Sequence, residues 1–289
     1  MESAEAGRAV AAAMATASVL GLAVDGAVIL NDSNRLVVRL TPSDTVARVT
    51  PMTHHAGHQM SPEREVEVVE RLALTDGPVA ALDARVEPDV VVRDGFRIAF
   101  WAYYEPMSSA PIPPARYAEA LERLHAGLRQ VVVTTPHFMD RVAAVQEDVA
   151  NRDVTPDLVA TDRRFLMDLL RDLSWAIVNR QAREQLLHGE PHSGNVLSTE
   201  NGLLFIDFEN TCRGPVEYDL GWVPAQVSDR YSGADQDLIG KCRGLVLAMV
   251  TAYRWRRDDH HPGGRKSGVE FLNVLRDGPP WPALDDVTW

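Results

Sequence analysis

The sequence predicts an α+β chain of two lobes, a small β-rich lobe over residues 1–105 and a larger, mainly helical lobe over 106–289. Three observations carry that division. Residues 34–50 and 88–104 hold β-rich runs broken by turn residues, and residues 106–114 hold four prolines, a composition that resists both helix and central strand. Beyond them the apolar pattern shifts to helical spacing.

Taken in order, the apolar run AVAAAMATASVLGLAV from Ala9 follows Glu2 and Glu5, where a secretory leader would carry positive charge. It is also shorter than the roughly 20 residues a membrane span needs, so it reads as an opening helix packed on the body. NRLVVRL (34–40) and TVARVT (45–50) flank Thr41, Pro42, Ser43 and Asp44, the makeup of a hairpin turn. In SPEREVEVVERLAL, Ser61 is a plausible N-cap and Pro62 opens the first turn, with Glu65, Val66, Val69 and Leu72 at helical spacing. A second hairpin turns at Asp94 and Gly95, a dipeptide suited to positive φ. After the prolines come three helical patterns: RYAEALERLHAGLR, roughly 137–150, and DRRFLMDLLRDLSWAIVNRQAR. A third β pair, NVLSTENGLLFIDF, turns at Asn201 and Gly202. RRDDHHPGGRKSG reads as an exposed loop, and Trp281 and Trp289 should fold back on the large lobe, because indoles left in water forfeit burial.

Composition narrows the function. With 289 residues, 45% hydrophobic and 24% charged, the chain is globular rather than disordered. A net charge of −12 without a Lys/Arg run argues against nucleic acid and favours small, cationic partners. Cys212 and Cys242 are too few for a disulfide framework and lack a CxxC, which suits two reduced thiols in a cytoplasmic protein.

The chemistry concentrates in LLHGEPHSGNVL, 186–197. His188 and Glu190 satisfy H-x-E, but the P-C-x-x-C that completes a zinc deaminase site does not follow. His188-Gly-Glu-Pro-His192 is in the wrong order for a helical zinc motif, and Gly189 and Pro191 forbid a regular helix. Phosphoryl transfer uses the residues better: it needs a carboxylate to accept a hydroxyl proton, then an amide oxygen and a second carboxylate for Mg²⁺. Glu190, Asn195 and Asp207 supply these in order, and the hairpin between them returns Asp207 beside Asn195. His188 and His192 then read as loop-bracing hydrogen bonders. His54, His55, His58, His260 and His261 read as surface histidines, with no carboxylates spaced to help them hold a metal.

HGEPHSGNVL, LLFIDFEN and RGPVEYDLGW together resemble the aminoglycoside phosphotransferase and choline kinase-like family, whose fold is similar to that of protein kinases. The resemblance implies Glu190 as catalytic base, Asn195 and Asp207 as metal ligands, and Asp219, with His188, as support of the catalytic loop. It implies ATP (or GTP) and Mg²⁺ as cofactors and a hydroxylated small molecule, plausibly an antibiotic, as acceptor. In the N-lobe it implies a basic residue on the third strand paired with a helical glutamate, here Arg48 and Glu65, with Arg39 as runner-up. Ser33 and Asn34 would cover the nucleotide, and backbone from Ala102 to Tyr104 would read adenine. The acceptor should lie against helices within 115–180 and 222–255. Two departures stand out: the family most often has Asp at position 190 and Lys at position 48. They support the competing reading, a catalytically silent kinase-like binding protein; a metabolic amino-alcohol or sugar kinase is the other alternative.

Overall fold

A computed structural model describes residues 3–32, 35–52, 60–107 and 111–287. The opening helix α1 (Ser3–Val19) is rich in alanine, the best helix former, and turns Ala6, Ala9, Ala12, Ala13 and Ala17 inward. These small side chains let it lie close on a five-stranded antiparallel sheet: β1 (Val24–Asp32), β2 (Leu36–Pro42), β3 (Thr45–Pro51), β4 (Val91–Arg93) and β5 (Phe96–Ala102), in the order β1-β2-β3-β5-β4. Leu36, Val38, Leu40, Ala47, Val49, Ile98 and Phe100 meet the helix from that sheet. The Asp94-Gly95 turn has φ of 50° and 84°, as that dipeptide predicted. Strand β1 was not foreseen; its Gly26 and scattered polar residues hide the alternation, and pairing with β2 makes it a strand.

Helix α2 (Pro62–Leu72) begins at Ser61, whose hydroxyl accepts from the Arg64 amide at 3.4 Å. The larger lobe contains α3 (Pro114–Leu128), α4 (Phe138–Ala150), α5 (Ala160–Val178), α6 (Val216–Leu220), α7 (Ala225–Ser228), α8 (Gln236–Arg254) and α9 (Gly264–Asp277). Its core gathers Phe138, Leu166, Leu170, Trp222, Leu245, Met249 and Phe271 from five of those helices or the turns beside them. Two small ladders sit at the boundary of the lobes: β6 (Glu184–Leu187) with β9 (Cys212–Pro215), and β7 (Val196–Thr199) with β8 (Gly202–Phe205).

RRDDHHPGGRKSG is only partly a loop. From Gly264 it is helical, because GRKSGVEFLNVLRD buries Ser267, Gly268, Phe271, Leu272 and Leu275 on one face. Trp281 does fold back, close enough that a Cβ on Gly244 would lie 2.4 Å from its ring. Trp289 and His54, His55 and His58 lie outside the described residues. Among the described residues no helix is long and apolar enough to cross a membrane.

Candidate active site

The loop after β6 is shaped by its own backbone and by Asp219. Gly189 takes φ 88°, and Asp219, fully buried at the α6 end of the lobe, accepts the amides of His188 at 2.9 Å and Gly189 at 2.8 Å. Behind Asp219, His125 Nε2 lies 3.0 Å from its Oδ2, and Tyr231 Oη lies 2.8 Å from His125 Nδ1. His125 was not foreseen, although its place among Leu121, Leu124 and Leu128 on the apolar stripe of α3 marks it as a buried histidine. Tyr117 donates to the Pro191 carbonyl from the same helix.

Both ring nitrogens of His188 are engaged within the protein. Its Nε2 lies 2.9 Å from the Ile206 carbonyl and its Nδ1 accepts the Glu190 amide at 3.3 Å, so the two ring nitrogens tie the loop to the end of β8. Burial holds this histidine below its ordinary value of 6.5, against the pull of Asp219. A histidine kept neutral by folding lets the unfolded chain bind the extra proton. Stability should therefore be level in this respect above pH 6.5 and fall as pH drops through 6.5. In urea titrations across that range, His188→Gln should flatten this part of the pH dependence; an unchanged slope would count against it.

The β7–β8 hairpin carries the chain out and back. The Ile206 amide donates to the Asn195 carbonyl at 3.0 Å, which seats Asp207 beside Asn195. Asp207 takes the left-handed conformation, φ 68° and ψ 64°, uncommon for a residue with a Cβ and typical of functional loops. Asn195 Nδ2 donates to the Glu190 carbonyl at 2.9 Å, so its amide oxygen is the atom left to face a cation.

The N-lobe supplies the opposite wall. Glu65 is fully buried, not on a solvated helix face, and receives Arg48, Arg35 and the Phe208 amide at 3.1 Å. Arg48 also pairs with Asp207, a contact between lobes. Arg39 turns away, over the Tyr103 ring at 3.8 Å and toward Asp44 at 2.8 Å. Two residues of this cluster, Arg35 and Glu209, were not foreseen; their ion pair is 2.6 Å long. Burial works against Arg48 and Asp207 alike, yet their attraction prevails: Arg48 is held above the ordinary arginine range by Glu65 and Asp207, and Asp207 below the carboxylate range by Arg48 and Arg35. Two guanidinium groups face three carboxylates, and Glu209 is the carboxylate that keeps its proton most readily. Burial and Asp207 push it up to about 8 despite Arg35.

Arg48 holds Glu65 with one nitrogen and Asp207 with the other, which the single ammonium of lysine cannot reproduce. Arg48→Lys should raise the nucleotide KM by about tenfold, the effect of one lost charge-assisted hydrogen bond. Steady-state kinetics with varied nucleotide measures this; an unchanged KM would refute it.

Glu190 faces the same space. Its Oε2 receives Asn210 Nδ2 at 2.6 Å and Arg141 Nη2 at 3.1 Å, and His192 Nε2 lies 3.7 Å from Oε1. Neither Arg141 nor Asn210 carried a signal in the sequence, since arginines on amphipathic helices are ordinarily solvated. In the segment expected to form the hinge, the amides of Ala102 and Tyr103 donate to the carbonyls of Ala81 at 3.0 Å and Asp44 at 3.1 Å. Tyr104 Oη accepts the Ala81 amide at 3.2 Å. Ser33 and Asn34 lie outside the described residues. His260 and His261 are exposed, and among the described residues no group of three or more His, Cys, Asp and Glu is arranged to hold a metal ion.

Residues 25–245 match the family described as "Phosphotransferase enzyme family". No curated protein matches the sequence. Among solved structures, an amicoumacin kinase in complex with AMP-PNP, Ca²⁺ and Ami is 14% identical with a TM-score of 0.67, over 93% of this chain and 95% of that one. A choline/ethanolamine kinase family protein from Mesorhizobium loti is 15% identical with a TM-score of 0.64, over 91% and 93%. An APH(2") enzyme in complex with GDP and kanamycin is 15% identical with a TM-score of 0.65, over 91% and 96%. At these identities the likeness shows the fold, the two-lobed kinase-like one.

Proposed function

Because the chain belongs to this family of phosphotransferase enzymes and is a small-molecule phosphotransferase, we propose that it moves the terminal phosphoryl group of ATP or GTP to a hydroxyl of a small, cationic acceptor. The observation that carries this reading is the convergence of Glu190, Asn195 and Asp207, linked through Asn195 Nδ2 to the Glu190 carbonyl at 2.9 Å and the Ile206 amide to the Asn195 carbonyl at 3.0 Å. The donor set suits Mg²⁺. It is an amide oxygen and a carboxylate, few enough that phosphates complete the shell, and the nearby His188 nitrogens are already engaged.

Bound to Asn195 and Asp207, Mg²⁺ would neutralise charge on the nucleotide phosphates. Glu190 would accept the hydroxyl proton as the acceptor oxygen bonds to phosphorus and the bridging P–O bond breaks, releasing ADP or GDP. Arg48 would turn from Asp207 to the phosphates, keeping Glu65 as its anchor. Structures of similar fold include a kanamycin complex and a choline/ethanolamine kinase family protein. Together with the net charge of −12, they support an acceptor that carries both amine and hydroxyl groups. An antibiotic is the first class to try, and an amino alcohol the second.

The test is nucleotide consumption with Mg²⁺ across a panel of hydroxylated antibiotics, amino alcohols and amino sugars, each product checked by mass for an added phosphate. Turnover on one class is the expected result. Tight nucleotide binding with no turnover on the whole panel would instead favour a catalytically silent protein.

A further inference from the structure

A glutamate at position 190 is one methylene longer than the aspartate the family motif usually carries, which moves the carboxylate by roughly 1 Å, enough to cost about a hundredfold if nothing compensates. The loop around it keeps tight ties to Asp219 and His188, so its backbone offers little slack. The compensation comes from outside the loop. Arg141 on α4 and Asn210 after Asp207 both donate to one oxygen of Glu190, Oε2, at 3.1 Å and 2.6 Å.

Arg141 is itself fixed. Only 8% exposed, it donates through Nε to Tyr253 Oη at 3.1 Å and through Nη1 to the Gly189 carbonyl at 3.3 Å. Its guanidinium lies over the rings of Trp222 and Tyr253, 5.1 Å and 5.7 Å from their centroids. A buried arginine with so many partners does not swing, and a carboxylate oxygen bonded to it does not swing either.

We propose that Arg141, with Asn210, is the positioning residue for the glutamate base: it anchors Oε2 and thereby presents Oε1 to the acceptor hydroxyl. The longer side chain and the clamp are a matched set, and an aspartate at 190 would fall short of Arg141 by about the length of the missing methylene. This inference rests on the reading of Glu190 as the proton acceptor.

Two measurements test it. The first needs neither nucleotide nor acceptor: urea unfolding of Arg141→Lys, Glu190→Gln and the double variant. Groups in contact give non-additive effects, so the lysine substitution should shift the midpoint less once Glu190 is neutral; additive midpoints would overturn the clamp. The second uses the acceptor found in the panel. Arg141→Lys and Asn210→Ala should each lower kcat by about tenfold or more with the nucleotide KM unchanged. Arg141→Met, where it folds, should lose more than Arg141→Lys, and Glu190→Asp should lose activity rather than gain it. A merely structural arginine would lower the amount of folded enzyme without this split between kcat and KM. Wild-type kcat in Arg141→Lys and Asn210→Ala would overturn the proposal and leave the kinase reading intact. A non-additive cycle in a protein that turns over nothing would overturn the kinase reading and leave the contact.

Discussion

Asp207→Asn is expected to abolish phosphoryl transfer, by about a thousandfold, the loss that follows removal of a principal electrostatic contact from a transition state. The substitution keeps the size and one oxygen of the side chain but removes the charge that would hold Mg²⁺ against the phosphates. Asparagine also tolerates the left-handed backbone found at this position, φ 68°. Arg48 keeps Glu65, so no buried cation is left wholly unpaired and the fold should survive. Turnover and a thermal melt of the same preparation decide it: a folded variant within tenfold of wild-type activity would remove Asp207 from the chemistry.

Gly189→Ala should be nearly as damaging, for a steric reason. The residue sits at φ 88°, where an alanine is strained, and a Cβ built there would lie 1.9 Å from the Asn210 carbonyl oxygen. That atom is backbone, and the Asn210 side chain grips Glu190, so relief of the clash must displace the Glu190 carboxylate. Strain and displacement together should cost on the order of 3 kcal/mol of stability and most of the activity. Gly202→Ala is the control. It too has a positive φ, 120°, but nothing lies within 4 Å of the added carbon. It should therefore lose stability through backbone strain alone and keep its turnover. Equal behaviour of the two variants in melting and kinetics would show that the Asn210 contact is not what constrains the loop.

Much of this architecture is local and was legible for that reason. The hairpin turn at Asp94-Gly95 needs only positive φ from the residues themselves and occurs there, whereas the later hairpin turns one residue before Asn201-Gly202, at Glu200-Asn201, with Gly202 at φ 120° already paired with Thr199 in β8. Ser61, Pro62 and the spacing that follows announce α2 with no help from the rest of the chain. The weak alternation of β1 hid a strand that pairing with β2 creates. The turn chemistry of HHPGG hid the start of α9, which depends on burying Phe271 and Leu275.

The site divides in the same way. Glu190, Asn195 and Asp207 lie within 18 positions of one another, joined by a loop and a hairpin whose shapes are set by nearby residues, so their convergence could be read along the chain. Arg141 and Glu190 are 49 residues apart, and Arg48 and Asp207 are 159 apart. Nothing local distinguishes Arg141 from the other arginines on helices, or marks Arg35, just before β2, as a buried partner of Glu65 and Glu209. Their positions follow from how α4 packs beneath the loop and how the sheet closes over Glu209. By itself the sequence determined the fold and the family, and it nominated the three oxygen-bearing groups of the proposed site. The tertiary structure alone decided which cations hold those groups, because a buried charge takes its partner from whatever element packing places beside it.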